Sequence, residues 1–176
     1  ATQLALLGVQ VSVGMESPAR FLAERESGFD VALLSRPEQG VAWLPAFRAE
    51  APETPIIYDT VDLHVLRIGR GREIGCEDQD AASEALVIEM ERSMIEASDQ
   101  VLVVSDFERR WLNEEFPDVE VAVVGNVHED DPSFGSFGER SGALFVGSWN
   151  HPPNRDAIKF LIEEIAPKVR AEEPGI

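Results

Sequence analysis

The chain has 176 residues, 44% hydrophobic and 27% charged, the balance of a globular protein that can bury one core rather than of a disordered chain. Its formal net charge is −18, from 33 acidic against 15 basic residues, with only Lys159 and Lys168 as lysines, and that field repels nucleic acid and anionic membrane surfaces. The longest apolar runs, such as Val101–Val104 and Val121–Val124, fall far short of the roughly 18 residues a bilayer span needs. Cys76 is the one cysteine, which excludes an intrachain disulfide and a cysteine-rich zinc site and fits a reducing cytoplasm. Ala1–Gly8 has no basic residue ahead of its apolar stretch and so lacks the pattern of a secretory signal.

Short apolar runs alternate with helical patterns, the signature of a parallel sheet built from strand-helix-strand units. A first strand is expected at Val9–Val13, followed by a helix over Pro18–Ser27, opened by Ser17-Pro18 and stopped by Gly28. Strands at Asp30–Ser35 and Pro55–Tyr58 flank a helix over Glu38–Ala49 that Pro52 ends. The longest helix is expected at Asp80–Ala97, with Val87, Met90, Met94 and Ala97 forming one apolar stripe. Then come a strand at Gln100–Val104, a helix capped by Asp106 and ended by Pro117, and a strand at Val119–Val124. Asn126–Gly142 has no sustained period and reads as a linker between a domain over 1–125 and a second portion over 143–176. That portion is expected to hold a strand at Ala143–Val146 and a helix over Arg155–Ala171, buried along Leu161, Ile165 and Lys168-Val169.

Three segments in this order resemble glycosyltransferase family 4, the large group of GT-B transferases. They are Ile57-Tyr58-Asp59-Thr60-Val61-Asp62-Leu63-His64 followed by Arg67; Ala97-Ser98-Asp99 through Ser105 and Glu108, then Val123-Val124-Gly125-Asn126-Val127; and Leu144 through Ala157, with Gly147, Ser148, His151, Pro152-Pro153, Asn154 and Asp156 in register. The resemblance covers about two thirds of the chain, and the third segment is its most specific part. It implies a Rossmann-like α/β fold with a parallel sheet and helices on both faces, incomplete relative to a whole transferase. The chain would hold the latter part of an acceptor-side domain and the first strand-helix unit of a donor-binding domain.

Each candidate carries a structural reading beside the functional one. Asp59, Asp62 and His64 sit just past an apolar strand, where open parallel sheets place ligands, and they suit acid-base work or a divalent metal; the alternative is a capped turn with a solvated imidazole. Arg67, Arg70 and Arg72 suit a phosphate or acidic acceptor, or form a basic helix face. Ser105 points into a cleft or caps the helix that follows, in which case Glu108 completes a Ser-x-x-Glu capping box. Asn126 serves the turn into the linker. Gly147 and Ser148 can bring amides close to a diphosphate at a helix N-terminus, while His151 and Asn154 bind phosphate or sugar or shape a proline-fixed turn. Glu164 and Glu172 match the spacing of the family's carboxylate motif but lie on the wrong helix to serve as it.

The resemblance implies transfer of a sugar from a nucleotide-sugar donor to a saccharide, lipid or glycoconjugate acceptor, with retention of configuration and without a metal or other cofactor. Asp62 and His64 would act on the acceptor side, in a protein of the cytoplasm or the inner membrane surface. This chain alone is expected to be inactive. The rivals are a non-catalytic binding or scaffold domain of the same fold and a receiver-like module. A receiver needs a phosphorylatable Asp at a strand end and a later Lys, whereas Asp30 opens its strand and no lysine precedes Lys159.

Overall fold

A computed structural model describes residues 4, 6–13, 17–25, 28–73, 75, 81–127, 136–150 and 152–173. In chain order the elements are α1 (Pro18–Ala23), β1 (Ala32–Ser35), α2 (Pro37–Glu50), β2 (Ile56–Asp59), α3 (His64–Glu73), α4 (Ala81–Ala97), β3 (Gln100–Val103), α5 (Asp106–Glu115) and β4 (Val121–Val123). A short 3-10 turn (Phe137–Glu139) follows. The last helical span then runs through α6 (Pro152–Phe160), a π segment (Leu161–Ile165) and α7 (Ala166–Glu172). Two compact units divide the chain, Ala1–His64 with Ala85–Gly125, and Val65–Glu84 with Asn126–Ile176.

The first unit holds the sheet. Its strands lie in the order β1-β2-β3-β4 and every neighbouring pair is parallel, so each connection crosses over through helix. The fold is α/β, with a Rossmann-like, incomplete sheet flanked by helices. Side chains alternate across the pleat. Ala32, Leu34, Ile56, Tyr58, Val101 and Val103 are buried on one face, while Leu33 on the other is 57% exposed and Ile57, Leu102 and Ala122 beside it are half-buried.

Helices close over the buried face at short range. Gly40 of α2 lies against Met94 of α4, so closely that a Cβ there would meet Met94 Cε at 2.6 Å. Ile95 and Leu112 complete this layer, each at most 1% exposed, and Arg92 of α4 stacks over the Phe116 ring that follows α5. At the β1 side Phe21, Phe29, Trp43 and Phe47 form a chain of ring contacts with centroids 5.6–6.5 Å apart. At the amino ends of the strands Asp99 ties β2 to β3: its carboxylate accepts the Ile56 amide at 2.7 Å and the Arg48 guanidinium at 3.1 Å. The Ala97-Ser98-Asp99 segment thus has a structural task at the end of the sheet opposite the carboxyl ends.

Several expectations need correction. Residues 9–13 form no strand, because an apolar run becomes one only where another strand offers a ladder, and Val11 and Val13 are 45% and 88% exposed. The same reason applies at residues 143–146, where Leu144 and Val146 are 88% and 83% exposed. Ser105, not Asp106, is the N-cap of α5; Asp106 opens the helix and pairs with Arg109 at 2.8 Å. α1 ends at Ala23 instead of Ser27, and α3 is a helix the periodicity did not announce. Ile165 and Lys168 are exposed, the latter paired with Glu164 at 3.6 Å. On α4 the buried side runs through Glu84, Glu91, Met94 and Ile95, whereas Val87 and Met90 are half-buried and Ala97 is exposed.

Candidate functional site at the strand carboxyl ends

β1, β2 and β3 end side by side, with Ser35 in register with Asp59 and Asp59 with Leu102. Ser35 Oγ donates to Asp59 Oδ2 at 2.9 Å, and the Val61 amide donates to Asp59 Oδ1 at 3.1 Å. Thr60, wholly buried, donates both its amide and its hydroxyl to the Leu102 carbonyl, at 3.1 and 3.0 Å. The turn is strained: Val61 has φ 64° and Arg36, after β1, φ 69°. A β-branched residue in the left-handed region is an outlier that surrounding structure must enforce, and such residues gather at functional sites.

Two buried carboxylates from other helices hold the rest of the turn. Glu108 of α5 accepts the Leu63 amide on Oε1 at 3.3 Å and the Val104 amide on Oε2 at 3.0 Å. Glu91 of α4, 0% exposed, accepts the His64 amide at 2.9 Å and lies 3.1 Å from His64 Nδ1, both on Oε1. His64 itself is 5% exposed. Ser105 Oγ caps α5 by accepting the Glu108 amide at 3.3 Å and contacts Glu108 Oε2 at the same distance, a capping box whose carboxylate also crosses to the neighbouring loop. The Leu63 and His64 amides at the start of α3 and the Glu108 amide in the first turn of α5 are therefore occupied by protein carboxylates and a hydroxyl.

Tyr58 packs beneath this turn on the buried face. Burial pushes its phenol well above the usual range, and the negative charges of Glu91, Glu38, Asp59 and Asp62 push it further. Its hydroxyl is buried with no hydrogen-bond partner among the described residues.

The structure thus gathers His64, Ser105 and Glu108 around one turn, with Asp62 half-buried within it. Ser105 takes the capping role. Arg67 lies half-buried on α3, and Arg72 of the same helix grips Glu84 at 2.6 Å. Asn126 follows the sheet as an exposed residue. In the second unit Gly147 and Ser148 are exposed, and Asn154 Nδ2 donates to the Ser148 carbonyl at 3.0 Å. A Cβ on Gly147 would meet the end of the Asn154 side chain at 2.8 Å, so a larger residue there would displace that amide from the Ser148 carbonyl. His151 lies outside the described residues.

Sequence reasoning missed Ser35, Thr60 and Glu91. Glu91 had a signal: Glu84, Ile88, Glu91 and Ile95 recur at four-, three- and four-residue steps, a helical face on which two acids stand at core positions. Among the described residues no group of three or more side chains suits a metal ion, and no helix is long and apolar enough to cross a membrane. A depression of about 540 Å³ lies at the opposite end of the sheet. Glu96, Asp99, Glu115, Asp118 and Glu120 line it, an acidic wall hostile to a diphosphate. The chain matches no protein-family model, no curated protein and no solved structure.

Proposed function

We propose that this chain carries the acceptor side of a sugar transferase, which moves a sugar from a nucleotide-sugar donor to a saccharide, lipid-linked or glycoconjugate acceptor. The observation that carries the reading is the turn 59–64, where Asp59, Asp62 and His64 stand at the carboxyl ends of a parallel sheet. Carboxylates and an imidazole accept hydrogen bonds from hydroxyl groups, and the Leu63, His64 and Val104 amides nearby are taken by Glu108 and Glu91. That chemistry suits a polyol. The resemblance of residues 57–64 and 144–157 to glycosyltransferase family 4 supplies the reaction class.

In this reading Asp62 and His64 orient the acceptor hydroxyl, and Gly147 and Ser148 approach the donor diphosphate. Positioning of the two substrates supplies most of the rate enhancement. With Leu144 and Val146 unpaired and exposed, the donor-side segment has no ladder to steady a diphosphate, so the chain by itself is expected not to turn over. The test is a titration of the chain with methyl hexosides and, separately, with nucleoside diphosphates, followed by amide chemical shifts. Saccharide-induced shifts confined to Asp59–His64 support the proposal. Shifts from neither class of ligand would sink it.

A further inference from the structure

We propose that Asp59 is a positioning residue: its carboxylate, by accepting the Val61 amide, locks the peptide plane between Thr60 and Val61 and so holds the turn that bears Asp62 and His64 in one conformer. The consequence for ligand binding rests on the acceptor-side reading above; the conformational role does not. Among the described residues two that are not glycine have positive φ, Arg36 at 69° and Val61 at 64°. Both donate their amides to Asp59, Arg36 to the backbone carbonyl at 3.1 Å and Val61 to Oδ1 at 3.1 Å. One residue thus answers for both outliers, but only Val61 depends on its side chain.

A single motion would take Val61 out of the left-handed region. Turning one peptide plane over changes ψ of the residue before it and φ of the residue after it, and leaves the flanking Cα atoms almost in place; β-turns of types I and II differ in this way. Such a flip between Thr60 and Val61 would return Val61 to negative φ, where a β-branched residue is at ease. The neighbouring anchors do not forbid it. Thr60 is tied to the Leu102 carbonyl through its own amide and hydroxyl, and Leu63 to Glu108 through its amide. None of these bonds uses the Thr60 carbonyl or the Val61 amide, the two groups that a flip exchanges. The Asp59 carboxylate does. It takes the Val61 N–H in the local bond that an aspartate makes two residues ahead. In the flipped plane the Thr60 carbonyl would face the same oxygen, lone pair against lone pair. Ser35, at the end of β1, donates to Oδ2 at 2.9 Å and keeps the carboxylate turned toward Val61.

The test is the NOE between the amide and α hydrogens of one residue, read on the full chain. These hydrogens lie close together at positive φ of this size and further apart at the extended values that valine prefers. A strong cross-peak is expected at Val61 and at Arg36 in the wild type; a weak one at Val61 would overturn the proposal with no variant needed. Asp59→Ala is expected to lose the strong peak at Val61 and keep it at Arg36, whose partner is backbone. Retention at Val61 in the folded variant, or loss at both residues, would sink the proposal. Adding Val61→Asn is expected to restore the peak, since asparagine tolerates the left-handed region. Should Asp59→Ala not fold, Ser35→Ala decides in its place: a weakened Val61 peak is expected, and full intensity counts against the proposal. Methyl hexoside is expected to shift the Asp62 and His64 amides in the wild type, not in Asp59→Ala, and again in Asp59→Ala/Val61→Asn. Shifts that the second change does not restore would show that Asp59 touches the ligand itself and end its positioning role in binding. No shift in the wild type would end the acceptor-side reading, while the NOE still decides the hold on Val61.

Discussion

The amide of Leu63 donates to Glu108 Oε1 across 45 positions of sequence, and the other oxygen of that carboxylate takes the amide of Val104. One side chain thereby joins the turn after β2 to the turn after β3. Removing it in Glu108→Ala strands two backbone donors, of which Leu63 is buried, at an expected cost of about 2–3 kcal/mol. Glu108→Gln has one acceptor oxygen in place of two and is expected to lose about half as much. Urea unfolding monitored by tryptophan fluorescence measures both.

Gly40 and Met94 form a second coupled pair. Gly40→Ala places a Cβ within 2.7 Å of Met94 Sδ in a fully buried site, and overpacking of this kind is expected to cost about 1–3 kcal/mol. In a Met94→Ala background the clash is gone and alanine has the better helix propensity, so the same change is expected to stabilise by up to about 1 kcal/mol. A double-mutant cycle on the four proteins reads the coupling directly. Additive effects would show that the two residues do not touch in solution.

Tyr58 is the only tyrosine, so its ionisation can be followed by ultraviolet absorbance without assignment. Its folded-state pKa is raised, by burial first and neighbouring carboxylates second. A raised pKa means that the neutral phenol is favoured in the fold: its contribution is fully present below the unfolded value of about 10 and is lost as pH climbs above it. Phenolate absorbance is therefore expected to appear together with unfolding and not before. Tyr58→Phe deletes a buried hydroxyl that has no partner and is expected to leave stability within about 1 kcal/mol of wild type, or above it.

Asp99 has the opposite sign. The Ile56 amide, chiefly, and Arg48 hold its carboxyl below the usual carboxylate range, with partial burial opposing them. The resulting stability is present above about pH 4 and lost as pH falls through the depressed folded value. Half of the side chain is exposed, so screening limits the effect to about 1 kcal/mol. Asp99→Asn is expected to narrow the difference in melting temperature between neutral and acid solution, which calorimetry at the two pH values checks.

How much of this was legible in the sequence depends on what each signal needed. β1, β2, β3 and β4 were found within one or two residues, because buried parallel strands write continuous apolar runs. Residues 9–13 and 143–146 wrote the same kind of run, but a ladder is a relationship between segments and no local pattern reveals whether a partner strand stands beside it. Asp62, His64, Ser105 and Glu108 were legible as polar residues past strand ends. Their clamp was not, since Glu91 reads as a surface acid until α4 is seen to turn it inward. Neither was the strain at Val61, where the turn overrides the preference of a β-branched residue.

The occupied amides at the starts of α3 and α5 bear on how this chain meets salt. Its surface carries a large excess of negative charge, and mobile cations will gather on it and weaken its self-repulsion as ionic strength rises. Glu91 and Glu108 grip their amides at 2.9–3.3 Å inside the protein, where buried groups are screened much less than surface charges and are largely shut off from ions. The turn that bears Asp62 and His64 should therefore keep one shape from dilute buffer to brine, while the outer surface of the same molecule answers to every change in the solution around it.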